Sequence, residues 1–264
     1  MLPTPTHPPT ITSLPPNLTP YQNRCPVHIH LTPSSFPLLQ KCKDPTYISS
    51  LIPHQNGSVT VMTSHDDQHF LDDTRYTHTT HISLEILLAQ FTCQSPLPHP
   101  IYYRGPVPSH LHTHLPPLPP HTPTLTRLWI STPGCITPLH YDKCHGLLIQ
   151  LVGTKKFVAF PRSDAHRLYL FDGIAGPAHV SRIRHVTKLF EKKLSGEDLE
   201  GLIKRFPKLR DTEPYWVELG PGDVVYTPPG FLHEVTTVEA SVSVTVPWDM
   251  SEEELEDRPA FMAF

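Results

Sequence analysis

Two histidines and one aspartate, far apart along the chain, place the strongest constraint on how this sequence can fold. His140 and Asp142 have one residue between them in Thr137-Pro-Leu-His-Tyr-Asp. His233 comes much later, in Pro228-Pro-Gly-Phe-Leu-His. If the first segment is a β-strand, its alternating side chains place His140 and Asp142 on the same face. Two imidazoles and one carboxylate can hold iron(II) on one side and leave its other side open. We therefore expect a neighbouring strand of the same barrel to carry His233.

Short apolar segments separated by turn residues predict many strands. These segments are 25–31, 58–62, 101–104, 127–131, 146–152, 156–160, 216–219, 224–229, 235–238 and 241–246, and the last two are expected to form a hairpin. Helical spacing is present at 82–91, with Ser83 as the N-cap, and over 186–206, where Ser195 and Asp198 resemble a capping pair. This pattern predicts a mainly β fold, a barrel or double-sheet jelly roll with flanking helices.

Proline is abundant and unevenly distributed, with 33 Pro against 12 Gly. Residues 1–20 are rich in Pro and Thr and poor in apolar side chains, so they predict a disordered tail. We expect the N-terminal part of the β domain, with proline-rich loops, over 21–125 and its core over 126–250. Residues 251–264 form a short acidic C-terminal segment, interpreted as a capped, solvated helical turn.

Charge and cysteine content argue against several classes of protein. A formal net charge of −4 gives no overall basic field for nucleic acid, and the basic run at 182–193 is interpreted as a solvated helix face. Five cysteines without a Cys-x-x-Cys pair argue against a disulfide framework or a zinc knuckle and favour a reducing compartment. No apolar run reaches the length of a membrane span. We expect an intracellular protein, cytoplasmic or nuclear, with no membrane association and no DNA-binding module.

An iron site of this type has room for a co-substrate, and 2-oxoglutarate chelates iron through its keto acid end. Its far carboxylate then needs a cation deep in the barrel. Lys155 begins the strand after the Gly153-Thr154 turn and can supply that cation. A buried lysine needs an anion to stay charged, and a dicarboxylate provides one. Thr137 and Tyr102 can add hydroxyl hydrogen bonds.

Several motifs from Thr126 to Trp248 resemble the JmjC (cupin-like) family of iron(II)/2-oxoglutarate oxygenases. They are Thr-Pro-Leu-His140-Tyr-Asp142, Leu-Leu-Ile-Gln followed by Gly-Thr-Lys155-Lys, Arg162-Ser-Asp-Ala with Leu168-Tyr-Leu, Leu219-Gly-Pro-Gly-Asp-Val-Val-Tyr-Thr-Pro-Pro-Gly, His233, and Ser-Val-Ser-Val-Thr-Val-Pro-Trp248. The resemblance makes 126–250 a JmjC core of double-stranded β-helix type. It implies His140, Asp142 and His233 as iron ligands and Lys155 as the 2-oxoglutarate anchor, with Thr137 and Tyr102 as its helpers.

The same resemblance implies an iron(II)- and 2-oxoglutarate-dependent dioxygenase that uses O2 to hydroxylate a C–H bond. Within the family, the run of Leu147-Leu-Ile-Gln, Gly153-Thr-Lys-Lys and Asp164-Ala-x-x-Leu-Tyr-Leu looks most like the tRNA wybutosine hydroxylase branch. The expected partner is a macromolecular substrate: a modified tRNA base such as wybutosine, or a protein side chain. A histone lysine demethylase is a further alternative.

Two departures from the family pattern keep another reading open. Gly146 and Thr245 occupy positions where family members often carry Asn, whose amide helps to order the co-substrate or the water around the metal. Their presence favours a catalytically weak cupin that binds or regulates a partner. A zinc-binding cupin isomerase or hydrolase is a third possibility, and it would not need Lys155.

The remaining histidines and cysteines are interpreted as structural or as parts of polar loops. His145 is expected at the pocket mouth or on the surface, and Trp248 either walls the substrate entrance or closes the core. The others in this group are His65 with Asp66, Asp67 and His69; His110, His112 and His114; and Cys135 and Cys144, which are expected to fill small apolar spaces.

Overall fold

The computed structural model describes residues 2–13, 18–66, 68–70, 77–92, 97–115 and 125–262. Asp67, residues 71–76, Cys93 and the proline-rich residues 116–124 lie outside the described residues. The strands are β1 Thr10–Ile11, β2 Val27–His30, β3 Ser58–Ser64, β4 Thr77–Ser83, β5 Tyr102–Pro106, β6 Arg127–Ser131, β7 Ile136–Tyr141, β8 His145–Val152, β9 Lys155–Phe160, β10 Tyr215–Leu219, β11 Asp223–Thr227, β12 Leu232–Thr237 and β13 Ser241–Trp248. The helices are α1 Leu38–Lys41, α2 Pro45–Ser50, α3 Leu84–Ala89, α4 Ser109–His112, α5 Val186–Phe190, α6 Gly196–Arg205 and α7 Glu252–Glu256.

These strands form two sheets, and the predicted mainly β jelly roll is confirmed. The larger sheet has the order β1-β2-β11-β8-β13-β6-β5-β3-β4, and the smaller one has the order β10-β9-β12-β7. All pairs are antiparallel except β1 with β2. Between Thr227 and Leu232, and again after Thr237, the chain crosses from one sheet to the other.

The expected hairpin between β12 and β13 is therefore wrong. β12 pairs with β7 and β9 in the smaller sheet, whereas β13 pairs with β6 and β8 in the larger one. The Gly153-Thr154 turn likewise carries the chain between the two sheets. Gly153 has φ +70°, and a Cβ there would lie 2.1 Å from the Ala240 carbonyl oxygen. Only glycine tolerates both this positive φ and a neighbouring backbone so close that it leaves no room for a Cβ.

Alternation along the strands separates three apolar regions. Leu147 and Ile149 of β8 point to the outer face of the larger sheet, where helices α1 to α3 cover them. Val158 and Phe160 of β9 point outward from the smaller sheet into a second core with α5 and α6. A small inner core around Phe157 lies between the sheets. The rest of the space between the sheets is left for a cavity.

The N-terminal segment is attached to the domain. Thr6 donates its N–H to the Pro214 carbonyl and accepts from the Trp216 N–H, both at 2.9 Å, and β1 pairs with β2. Residues 6–11 thus contact the domain through their backbone, whereas the composition of 1–20 predicts a disordered tail. Backbone pairing with an exposed strand edge needs few apolar side chains, so composition gave no sign of it.

Helix signals in the sequence agree with the helix starts. Ser83 accepts a hydrogen bond from the Ile86 N–H, and Ser195 accepts one from the Asp198 N–H. The segment predicted as helical over 186–206 contains two helices, α5 and α6, with a break between them. None of the helices in the described ranges is long and apolar enough to cross a membrane.

Glu254 of α7 fastens the C-terminal segment to the domain. Its side chain completes a capping box with Ser251 and also bonds His145 Nε2 at 3.1 Å and Asn23 Nδ2 at 2.8 Å. The predicted solvated turn is thus held by a half-buried carboxylate that joins both ends of the chain to β8.

Replacing Glu254 with alanine is expected to lower the free energy of unfolding by about 2 kcal/mol, because hydrogen bonds to charged groups contribute roughly 1.5–3 kcal/mol. Chemical denaturation measures this change. Glu253→Ala, on the exposed side of the same helix, should change the free energy by less than about 0.5 kcal/mol. Equal losses in the two variants would show that helix composition, and not the Glu254 contacts, accounts for the effect.

Candidate metal centre

His140 and His233 lie directly opposite each other on neighbouring strands. The register of β7 and β12 pairs the two residues, and their ring centroids are 4.4 Å apart. Asp142 follows β7 at once, with Oδ1 3.9 Å from His140 Nε2 and Oδ2 3.8 Å from His233 Nε2. One ligand atom from each residue lies within 4.8 Å of the others, and no other such group occurs among the described residues. The structure thus brings together the three residues that the sequence singled out.

A β-bulge gives β7 two inward-facing positions that simple alternation would not provide. His140 pairs with His233, and Thr137 pairs with Val235. Between these two pairs β7 has two residues and β12 has only one. Such a bulge redirects the side chains that follow it. As a result Thr137 and His140 both line the same cavity.

Backbone carbonyls orient both imidazoles. His140 Nδ1 lies 2.7 Å from the Pro138 oxygen, and His233 Nδ1 lies 3.1 Å from the Phe231 oxygen. A carbonyl accepts only from a protonated Nδ1, so each ring in its neutral form carries its lone pair on Nε2. Outer contacts of this kind are typical of histidines that bind metals.

The protonation states suit a cation. Burial, with His233 second, lowers the pKa of His140 to about 4, so this ring is neutral at pH 7. Enclosure by the pocket alone would raise the pKa of Asp142, but His140 and His233 outweigh it and lower that pKa. Two imidazoles and one carboxylate make a donor set that fits a divalent transition metal.

Lys155 lines the same cavity, and its ammonium is a buried cation. It begins β9, its side chain is 1% exposed, and Nζ donates to Ser243 Oγ at 2.9 Å. Among the described residues no carboxylate pairs with it. Burial lowers the pKa of the Lys155 ammonium to about 8. A buried ammonium with one neutral partner fits an anionic group bound beside it.

Tyr102 and Thr137 stand beside Lys155. The Tyr102 hydroxyl is 3.3 Å from Thr137 Oγ1, and Lys155 Nζ lies 5.8 Å from the centre of the Tyr102 ring. Burial raises the pKa of Tyr102, so the phenol stays protonated. The two hydroxyls and the ammonium thus converge on one part of the cavity.

The cavity, with a volume of about 320 Å³, extends from Lys155 to the His140–Asp142–His233 group. Sequence reasoning missed several of its walls, namely Phe70, Arg104, Trp129 and His179, and also missed Ser243, the partner of Lys155. Ser243 could have been found from its alternation in Ser241-Val-Ser-Val. Trp129 was visible only as one apolar residue in a strand.

The two departures from the family pattern both lie on the cavity wall. Thr245 accepts a hydrogen bond from Trp129 Nε1 at 2.8 Å. Gly146 lines the cavity, and a Cβ built there would meet no heavy atom within 4 Å. The wall is therefore more open at Gly146 than it would be with any residue that has a side chain.

His145 and Trp248 have structural contacts. His145 is fully buried, which corrects the expected surface position, although it also borders the cavity. Its ring stacks on Trp248 at 5.0 Å, and Nδ1 bonds the Tyr226 hydroxyl at 2.8 Å. Trp248 packs against the outer core, so of its two predicted roles it closes the core.

The other polar clusters have local partners. His69 Nδ1 bonds Asp66 Oδ2 at 2.5 Å, and its ring lies 4.8 Å from that of His185. His114 Nε2 is 2.9 Å from Lys41 Nζ. Cys135 is buried, with Sγ 3.2 Å from the Ile101 carbonyl oxygen, as expected of a small packing residue.

A jelly roll with two histidines and an aspartate at one point of its cavity defines a cupin-type protein. The family model for the cupin-like domain matches residues 22–254. The chain therefore belongs to the cupin-like domain family.

Similar curated proteins include several with JmjC domains. JmjC domain-containing protein F of Dictyostelium discoideum is 30% identical over 121 residues, 45% of this chain and 25% of that protein. A lysine-specific demethylase of Arabidopsis thaliana is 30% identical over 121 residues, 46% of this chain and 25% of that protein. The human tRNA wybutosine-synthesizing protein 5 is 31% identical over 119 residues, 45% of this chain and 32% of that protein. The matches thus span a quarter to a third of these relatives, and they confirm the predicted resemblance to JmjC proteins.

Proposed function

We propose that this chain is an iron(II)- and 2-oxoglutarate-dependent dioxygenase that hydroxylates a C–H bond of a macromolecular substrate. The observation that carries the proposal is the buried Lys155 ammonium in the same cavity as the His140–Asp142–His233 group. A dicarboxylate that chelates a metal at one end and needs a cation at the other matches both features. A zinc cupin isomerase or hydrolase would give Lys155 no such role.

Each of these residues has a separate task. His140, Asp142 and His233 would hold the iron from one side, and Lys155 would bind the far carboxylate of 2-oxoglutarate with help from Thr137 and Tyr102. The apolar and aromatic walls around Phe70, Trp129 and Phe157 limit the access of bulk water. When bound, iron(II), 2-oxoglutarate and O2 supply the oxidising chemistry; the protein contributes binding, orientation and shielding.

The proposed acceptor is a modified tRNA base such as wybutosine, with a protein side chain as the second candidate. The first draws on the likeness to the human wybutosine-synthesizing protein, and the second, together with histone lysine demethylation, on the likeness to lysine-specific demethylases. Either acceptor is compatible with a cytoplasmic or nuclear location. Mass spectrometry should compare tRNA and protein digests from cells with and without the gene. Cells without the gene should lack a modification that adds the mass of one oxygen atom.

A catalytically weak binding or regulatory protein is the rival function, and one observation favours it. Gly146 has no side chain and Thr245 has a hydroxyl in place of an amide, so neither residue offers the amide that Asn would place there. Turnover of 2-oxoglutarate with iron and ascorbate, without any acceptor, separates the two functions. A dioxygenase consumes 2-oxoglutarate under these conditions, whereas a binding-only protein consumes none.

Binding of 2-oxoglutarate should weaken at alkaline pH. The pKa of Lys155 is about 8, so its ammonium is charged below this pH and loses its proton above it. The Kd should be constant below the pKa and should rise above it by up to about tenfold per pH unit. Calorimetric titration of the nickel-loaded protein at several pH values measures this dependence. Lys155→Arg keeps its charge throughout and should remove the rise; the same rise in that variant would assign it to another group.

A further inference from the structure

Gly146 occupies a place in the cavity wall where the backbone does not require glycine. It lies within β8, opposite Thr227 of β11 and Pro247 of β13. Left-handed φ values occur at other glycines, such as Gly153 and Gly230, but not at Gly146. Glycine weakens a strand interior and often marks a point where a ligand comes close to the backbone. Conformation therefore does not explain this residue.

Packing does not explain Gly146 either. Leu147 and Ile149 point into the core behind the sheet, so Gly146 and Leu148 face the cavity. A Cβ at Gly146 would meet no heavy atom within 4 Å. A side chain would fit the protein here, and its absence leaves open space in the cavity that also holds the metal ligands.

The cavity-lining residues that pair with Gly146 across the sheet are uncharged, although Asp142, Arg104 and Arg127 also line the cavity. Cys144, Leu148, Thr227 and Pro247 surround Gly146 on the cavity side. On the same sheet, β13 separates β8 from β6, and the Trp129 indole of β6 borders the cavity. An uncharged, flat group suits this part of the wall, because Leu148, Thr227 and Pro247 offer a charged group no ionic partner in place of its hydration.

We propose that Gly146 determines specificity: its missing side chain opens a subsite for a bulky, uncharged part of the acceptor, next to the metal ligands. This inference rests on the proposed function, since it assigns the space that 2-oxoglutarate, held towards Lys155, leaves vacant. A base ring and a large apolar side chain share the required chemistry.

Binding of two chelators of different size to nickel-loaded protein tests the subsite without turnover. The probes are pyridine-2-carboxylate, with one ring, and 8-hydroxyquinoline, with two fused rings. Gly146→Val should weaken the binding of 8-hydroxyquinoline by about tenfold or more, and Gly146→Ala by less, because filling a pocket by one or two carbons changes affinity by about 10–200-fold. The Kd of pyridine-2-carboxylate and that of 2-oxoglutarate should stay within about twofold of the wild-type values.

Gly201→Ala serves as the matched control, since Gly201 lies in α6 and a Cβ there also meets nothing within 4 Å. It should leave all three Kd values unchanged. Valine favours strands, so Gly146→Val should melt no lower than the wild type, and a normal melt excludes misfolding as the cause. Equal binding of 8-hydroxyquinoline to all variants, or a parallel weakening of 2-oxoglutarate binding, would overturn the inference about Gly146. The proposed function would still stand in that case if the wild-type protein binds nickel and 2-oxoglutarate. A wild-type protein that binds neither would overturn both.

Discussion

Replacing His140 with alanine should abolish iron binding and acceptor-independent turnover of 2-oxoglutarate. His140 supplies one of the three ligand atoms that lie within 4.8 Å of one another, and a carboxylate with one imidazole cannot hold the metal on one face. The loss of affinity should exceed the roughly 10–100-fold that follows removal of an outer contact to a ligand. Metal content after dialysis and 2-oxoglutarate consumption with ascorbate are the two measurements.

A matched control separates loss of a ligand from loss of any histidine. His166 is exposed, lies in a 3-10 helix outside the cavity lining, and can be replaced by alanine as well. His166→Ala should keep the wild-type metal content, and both variants should melt within a few degrees of the wild type, because neither change opens a large core cavity. Normal iron content in His140→Ala would contradict the assignment of the metal centre.

Strand periodicity predicted the central part of the site, for a physical reason. Side chains two apart on a strand share a face, so His140 and Asp142 had to point together. The need for a third ligand then required β12 to lie beside β7, and the register pairs His233 with His140. Few alternative folds satisfy such a constraint, which is why fold and ligand set could be predicted together.

Features that depend on long-range contacts could not be predicted in this way. Which sheet β13 joins is decided by packing of both its faces, so local turn residues suggested a hairpin that does not form. Burial of His145 depends on Glu254 and Tyr226, both distant in sequence. The bulge that turns Thr137 inward is likewise a property of the β7–β12 pair, not of either strand alone.

Lys155→Ala should raise the KM for 2-oxoglutarate by about 100-fold or more while the protein keeps its iron. Truncating one member of a buried charge pair costs about 2–5 kcal/mol, and each 1.4 kcal/mol is about a factor of ten. Lys155→Met, of similar length, should have the same effect on KM. It should also melt no lower than the wild type, because burial of the Lys155 ammonium is itself unfavourable, as its lowered pKa indicates. Initial rates at varied 2-oxoglutarate, iron content and thermal melts provide the three readouts.

Lys156 offers a control one residue away on the opposite face of β9. Its ammonium pairs with Glu191, outside the cavity lining, so Lys156→Ala removes the same charge without touching the proposed co-substrate site. The KM for 2-oxoglutarate should then stay near the wild-type value, since the net charge of the protein changes equally in both variants. A rise in both would point to a general electrostatic effect, and loss of iron in Lys155→Ala would mean that Lys155 supports the metal centre instead. A rise confined to Lys155, with iron retained, requires a specific contact between this ammonium and the far carboxylate.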